Sequence, residues 1–304
     1  MLLAIFYIIA ILLLFPDVAL AWGPGAHLEV GSLVLSNMAL LAPVIQRLLS
    51  KYSDDYLYGC ISADTTVGKK FTSYINHCHN WQVAMELIRN AETDSEMAFS
   101  YGYLSHLAAD IVAHNYYIPN QMITSFRTKT LKHMYWEMRF ETHIDKEIWN
   151  LARKIAKKTF KSNDELMERT LKRTLFSFKT NKRIFSASLL LSRLEQWQRL
   201  VENIGQQSKY TLTRQDAQPY IDLSLDYTFD FLINLENSEA FKLDPAGLST
   251  LKSASSIRRN LKKIDRSGFL MQETVDVILK EMEPPPLQGS RSYKPLDRLF
   301  LMTI

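Results

Sequence analysis

The pattern of apolar and polar residues is helical along most of the chain. In the stretch "HLEVGSLVLSNMALLAPVIQRLLSKY", apolar residues recur every three to four positions, and Pro43 marks a break between two helices. The same periodicity predicts helices over 81–92 and 97–115, with a break in the chain at Pro119. This repeat indicates helices that each bury one face against a common core.

The second half continues the pattern. The absence of Gly and Pro predicts one long helix over 130–160. Further helices are predicted over 164–178, 181–204, 219–235, 247–264 and 271–283. The segment "YGCISADTTVGKK" is predicted to be a loop, and "EMEPPPLQGSRSYKP" is typical of a coil tail. With no convincing strand or internal repeat, the chain is predicted to be an all-α, multi-helix globular protein.

The N-terminus has the pattern of an export signal. An apolar run over 2–15 precedes the small residues Ala19 and Ala21, although no Lys or Arg stands before the run. The run is short for a bilayer span, which favours cleavage after Ala21 over an uncleaved anchor. The mature chain would then begin at Trp22 and be exported, as a periplasmic or secreted protein that can associate with a membrane.

Charge and histidine divide the chain unequally. Residues 1–143 hold nine Lys and Arg against 12 Asp and Glu, whereas residues 144–304 hold 27 against 20. All seven histidines precede residue 144: His27, His77, His79, His106, His114, His133 and His143. The predicted organisation is therefore a signal peptide (1–21), a site-bearing helical part (22–150), a basic helical part (151–283) that is separate or belongs to the same domain, and a coil tail (284–304).

Side chains that can bind metals recur at helical spacing. In "GYLSHLAADIVAHN", His106, Asp110 and His114 are each four residues apart and share one stripe of a helix. The pair His133 and Glu137 repeats that spacing, and "ISADT" and "INHCHNW" add further candidates. One such pair alone is usually an ordinary side-chain contact. In an apolar setting the combination predicts a site with several metal ions.

The two cysteines leave alternatives open. Cys60 and Cys78 could pair in an exported protein, or they could be buried thiols. Cys78 stands between His77 and His79, but no CxxC spacing supports it as a zinc ligand.

The motifs "AHLEVGSLVL", "GCISADT", "HCHNW", "GYLSHLAADIVAHN" and "HMYWE" together resemble the zinc-dependent phospholipase C family. The resemblance covers about residues 22–150 and includes the domain that opens glycosylphosphatidylinositol-specific phospholipases D. The short separation of Asp110 and His114 is similar to that second type. The part after about residue 150 has no counterpart in this resemblance.

The resemblance implies an all-α fold and a site with three zinc ions. The amine and carbonyl of Trp22 would bind one ion, with His27 as its partner. Asp64 would lie beside the attacking water as the catalytic acid–base group and near a metal. The remaining implied zinc ligands are His77 or alternatively His79, then His106, a bridging Asp110, His114, His133 and Glu137.

Three functions are compatible with these residues. The first is a zinc phosphodiesterase of the phospholipase C kind, whose substrate is a phospholipid at a membrane surface. The second is a single-strand nuclease, which the basic second half allows but which is less favoured, because that charge would equally attract anionic lipid. The third is a zinc-stabilised, membrane-associated helical protein without catalytic activity.

Overall fold

The computed structural model describes residues 22–65, 78–128, 133–171, 210–285 and 293–296, together with residues 180, 182, 183, 185 and 287. Within these residues the regular structure is helical and no strand occurs, so the prediction of an all-α fold is confirmed. The segment 1–21, and with it the predicted signal peptide, lies outside the described residues, as does most of the helix predicted over 181–204.

The α-helices in chain order are α1 (Pro24–Ser36), α2 (Pro43–Lys51), α3 (Ser53–Ser62), α4 (Trp81–Asn90), α5 (Asp94–Val112), α6 (Ile118–Thr124), α7 (His133–Glu141), α8 (Lys146–Lys157), α9 (Lys161–Thr170), α10 (Arg214–Asn234), α11 (Leu248–Arg266) and α12 (Gln272–Glu281). Short 3₁₀ segments occur at Met38–Leu40, Ala63–Thr65, Leu235–Asn237 and Ala240–Lys242. A π-helical segment, Ala113–Tyr117, joins α5 to α6.

The predicted loop around "YGCISADTT" is wrong over its first part. Helix α3 and the 3₁₀ segment Ala63–Thr65 occupy it up to Thr65, and 66–77 lies outside the described part of the chain. Gly59 looks like a turn residue in the sequence but serves close packing. A Cβ atom there would overlap the Phe99 carbonyl, and one at Gly102 would overlap the Tyr56 carbonyl. These glycines let α3 and α5 lie in direct backbone contact.

The predicted break at Pro119 is also wrong. The chain passes from α5 through the π segment directly into α6, with Pro119 in the first turn of α6. Pro119 has no N–H with which to continue the helical hydrogen bonds. Immediately before it, Ile118 N bonds to Ala113 O, five residues back, which is the π pattern.

The single helix predicted over 130–160 is in fact two helices. Helix α7 ends at Glu141 and α8 starts after Asp145, which has extended backbone angles. The Thr142 hydroxyl donates to Arg139 O at 2.7 Å, and Ile144 is buried in the core. Favourable packing of the turn therefore outweighs the helical propensity of this stretch.

One hydrophobic core runs through both halves of the chain. It contains Trp22 and Trp136 from the first part and Leu166, Ile221 and Phe231 from the basic part. Helix α5 lies at its centre, packed against α3, α4 and α10. The parts 22–150 and 151–283 thus share a core. A smaller cluster joins Ile123, Phe126, Ala254, Leu261 and Val275. Among the described helices, none has the length and apolarity needed to cross a bilayer.

Candidate metal centre

Five buried ligand side chains converge from separate elements. His27 comes from α1, Asp64 from the 3₁₀ segment after α3, His79 from the segment before α4, and His106 and Asp110 from α5. Each of the five is at most 5% exposed. Burying so many ionisable side chains away from solvent costs free energy unless they bind a common partner.

Asp110 lies between three of the imidazoles. Its Oδ1 is 3.2 Å from His27 Nε2. Its Oδ2 is 3.0 Å from His79 Nε2 and 3.3 Å from His106 Nε2. The two carboxylate oxygens therefore face different histidines, which is the arrangement expected of a carboxylate shared between two cations.

Asp64 closes the group on the other side. Its Oδ1 is 3.3 Å from His79 Nε2. One ligand atom from each of His27, Asp64 and His106 lies within 4.8 Å of the others, and the same holds for His79, His106 and Asp110. The two potential metal groups share His106, so they form one continuous cluster.

Backbone carbonyls fix the orientation of this cluster. His106 Nδ1 donates to Cys60 O at 2.8 Å, which directs its Nε2 toward Asp110. The Tyr103 hydroxyl donates to Cys78 O at 2.5 Å and holds the segment that presents His79. A histidine that binds metal through one nitrogen commonly donates the other N–H in this way.

A second group consists of His114, His133 and Glu137. His133 Nε2 lies 2.7 Å from Glu137 Oε1, and the rings of His114 and His133 meet edge to face with centroids 5.3 Å apart. One ligand atom from each lies within 4.8 Å of the others. Asp110 precedes His114 by about one helical turn, so this group adjoins the first.

The basic part of the chain orients His114. Its Nδ1 donates to Pro245 O at 2.6 Å. Asn115, the next residue, donates to Asp244 O at 3.0 Å. Gly247 has φ +56°, and a Cβ atom there would lie 2.5 Å from His114 Cβ. The turn before α11 therefore packs tightly against this ligand and requires glycine.

The protonation states suit metal binding. Burial, together with the nearby His27, lowers the pKa of His106, and burial lowers the pKa values of His114 and His133 to about 4. Burial alone would raise the pKa of Asp110, but His106 and His27 hold that pKa well below its usual range. Near neutral pH the imidazoles of His106, His114 and His133 are neutral and the Asp110 carboxylate is ionised, which are the forms that bind zinc.

Buried polar atoms that lack hydrogen bonds test whether the residues of the site fit zinc. Among the described residues, both Asp110 oxygens, both His27 ring nitrogens and His114 Nε2 are buried and make no hydrogen bond of good geometry. Such groups are rare in folded proteins unless water or an ion completes them. Imidazole nitrogen and carboxylate oxygen are standard zinc donors. The residues present therefore fit zinc.

The other predicted residues lie as follows. Trp22 is fully buried, and its ring stacks on Phe140 with centroids 4.4 Å apart, so its indole belongs to the core. The role of its backbone stays a prediction. His77 lies outside the described residues, whereas His79 is in the cluster. His143 belongs to neither metal group, and its carbonyl accepts from Arg214 at 3.0 Å. Both cysteines are buried, and no disulfide joins them.

Glu141, four residues after Glu137, has a role that this spacing does not indicate. Its Oε2 accepts from Gly25 N at 3.0 Å and its Oε1 accepts from Ala26 N at 2.8 Å. The carboxyl group thus caps the N-terminus of α1, the helix that carries His27. Burial raises its pKa to about 8.

The carbonyls of Cys60 and Pro245 are likewise absent from any sequence-based set of site residues. Only the turn signal "DPAG" at 244–247 could have drawn attention to one of them.

Comparison with known proteins adds one match. A family model described as zinc dependent phospholipase C matches residues 26–184, a little over half of the chain. The matched range contains the ligand side chains of both metal groups but not the turn that orients His114. Searches of curated proteins and of solved structures give no significant match.

Proposed function

Because the chain belongs to the zinc-dependent phospholipase C family, we propose that it hydrolyses a phospholipid or a lipid-linked phosphodiester at a site holding three zinc ions. The observation that carries this proposal is the position of Asp110, whose two oxygens face different histidines beside a second complete ligand group. A helical protein that needed one structural zinc would use a single closed set of four ligands.

The ligands divide among the ions as follows. His27 and Asp110 would hold one ion, together with the Trp22 amine and carbonyl if the chain is cleaved after Ala21. His79, His106 and Asp110 would hold the second, with Asp64 beside them. His114, His133 and Glu137 would hold the third. The contacts of His79 with Asp64 and Asp110 support it over His77.

Zinc, when bound, lowers the pKa of a nearby water and offsets negative charge on the phosphate oxygens. Asp64 accepts the proton of the attacking water, because it is a carboxylate at the edge of the cluster. Asp110 stays ionised and would supply negative charge to cations held on either side of it. The backbone carbonyls that bond His106 and His114 hold both rings in place.

The substrate approaches from the side of His133. The His133 side chain is 21% exposed, whereas those of His27, His106 and Asp110 are fully buried. The phosphodiester therefore meets the His114–His133–Glu137 group first, and the buried cluster lies behind it.

Metal analysis and substrate assays test the proposal together. The purified chain that starts at Trp22 should contain about three zinc ions and lose activity when a chelator removes them. It should hydrolyse phosphatidylcholine or phosphatidylinositol in preference to single-stranded DNA. Faster hydrolysis of DNA would replace the lipid substrate with nucleic acid, and full zinc loading with no turnover on any of the three would support a structural role for the metal.

A further inference from the structure

Helices α11 and α12, both packed on α6, are joined by a turn that exposes apolar side chains, and the two helices with this turn are called the α11–α12 hairpin. Phe269 is 81% exposed and Met271 is 64% exposed. Ile264 and Val277 add apolar surface beside them, at 40% and 60% exposure. A large aromatic side chain held in water at the end of a hairpin suggests that it has a partner.

Backbone geometry holds the tip in this position. Gly268 ends α11 with φ +79°, Gly268 N bonds to Asp265 O at 3.1 Å, and Phe269 N bonds to Ile264 O at 3.4 Å. At such helix ends the residue after the glycine commonly packs back on the helix. Here Phe269 points away, so its exposure is a property of an ordered turn.

The outer face of α11 is strongly basic. Lys252, Arg259, Lys263 and Arg266 are all exposed, and their spacing places them in one stripe about 60° wide. The single acidic residue of α11, Asp265, pairs with Arg127 at 2.9 Å. The stripe therefore contains four cations without an acidic residue of its own helix.

The other cations of α11 attach the hairpin to the core. The side chains of Arg258 and Lys262 donate to Thr128 O at 2.9 Å and 2.5 Å. The acidic residues Glu273, Asp276 and Glu281 lie on α12. The positive surface thus belongs to α11 and continues into the apolar tip.

The stripe starts close to the metal centre. Helix α11 follows Gly247, which packs against His114, and Lys252 is five residues further on. With a rise of about 1.5 Å per residue, the 19-residue helix extends about 28 Å from this point. The stripe therefore connects the neighbourhood of the proposed active site with the tip.

We propose that the α11–α12 hairpin docks the protein on an anionic lipid surface. Phe269 and Met271 enter the boundary between headgroups and acyl chains, and the four cations of the stripe lie on the anionic headgroups. The choice of a lipid surface rests on the proposed function, but docking is a separate property that needs no turnover. Charge complementarity favours an anionic membrane, and the apolar tip favours lipid over nucleic acid.

Vesicle binding by the zinc-loaded full chain tests this proposal. Sedimentation with phosphatidylcholine vesicles should show strong binding only when they contain phosphatidylserine, and added salt should weaken it. Replacing Phe269 and Met271 by Ala should weaken binding roughly tenfold or more, since apolar burial is lost. The double variant Arg259→Gln/Lys263→Gln should weaken binding about 30-fold, because each cation contributes about a factor of five.

Matched controls remove similar groups elsewhere. Val44→Ala deletes an apolar side chain that is 64% exposed on α2, and Lys154→Gln/Lys157→Gln deletes two exposed cations on α8. Both controls should bind vesicles like the wild type. All variants should hydrolyse a monomeric short-chain phospholipid at the wild-type rate, because none of the substituted residues belongs to either metal group.

Docking by the hairpin would be refuted if the tip and stripe variants bound vesicles like the wild type. It would also be refuted if the control variants lost as much vesicle binding as the tip and stripe variants. Tighter binding to single-stranded DNA than to vesicles through the same cations would assign the surface to nucleic acid instead. Tip-dependent vesicle binding by a protein that hydrolyses no phosphodiester would support docking and refute the proposed function.

Discussion

The substitution Asp110→Asn tests the centre of the site most directly. It exchanges one carboxylate oxygen for an amide nitrogen with almost no change in volume, at a position that is fully buried. The amide N–H₂ cannot bind a cation, and the side chain loses the negative charge that faces His27, His79 and His106. Loss of the Asp110 charge beside His106 and His27 also changes the stability of the metal-free protein, so the test compares the rise in Tm that zinc produces in each protein.

The size of the effect follows from ligand linkage. At a free zinc concentration about 1,000 times Kd, binding stabilises the wild type by about 4 kcal/mol. If the substitution weakens binding about 100-fold, zinc at the same concentration stabilises the variant by only about 1.4 kcal/mol. The difference of about 2.7 kcal/mol corresponds to a Tm lower by about 5 °C for a chain of 304 residues.

Thermal unfolding with and without zinc measures this difference. We expect zinc to raise the Tm of the wild type by more than that of Asp110→Asn, with each rise measured from the metal-free Tm of the same protein. Asp276→Asn, an exposed change on α12, is the control and should respond to zinc like the wild type. An Asp110→Asn variant with normal zinc content and a normal zinc-dependent rise in Tm would refute the bridging role.

Three further predictions concern single side chains. Asp64→Asn should lower kcat by about 10²–10⁴-fold while zinc content stays near the wild-type value, because a general base is lost. Gly247→Ala should lower both zinc occupancy and Tm, since the new Cβ atom would lie 2.5 Å from His114 Cβ. Glu141→Gln should change how the stability of the metal-free protein depends on pH. The folded-state pKa of Glu141, about 8, lies above the reference value of 4.5. Its contribution to the free energy of unfolding is therefore fully present below pH 4.5 and is lost as pH rises through 8. Chemical unfolding curves recorded at several pH values should show no such decrease for the variant.

Each of these has its own check. Zinc loss in proportion to activity would make Asp64 a ligand and not a base. Gly268→Ala is the control for Gly247→Ala, since Gly268 also has positive φ but nothing within 4 Å of its Cβ position. Both pay the backbone cost of about 1–2 kcal/mol, and only Gly247→Ala should also release zinc. Identical pH profiles for Glu141→Gln and wild type would show that folding does not raise the pKa of the Glu141 carboxyl group.

Features that depend on neighbouring positions along one helix could be predicted from the sequence. Apolar periodicity correctly indicated an all-α chain, because each helix must bury one face whatever it packs against. The pairs His106–Asp110 and His133–Glu137 follow from the same geometry, since residues four apart on a helix meet regardless of the rest of the fold. The family resemblance depended on these local motifs and is confirmed by the match over 26–184.

Features that depend on distant partners could be decided only by the tertiary structure. In the sequence Gly59 looks like a turn residue, and only the structure shows that the backbone of α5 packs against it. No local rule indicates that Glu141 caps α1, across a sequence separation of 115 residues. Pro245 orients His114 across a separation of 131 residues, through a carbonyl that every residue possesses. Because a backbone carbonyl has no signature in the sequence, its part in the site becomes visible only when the chain is folded around it.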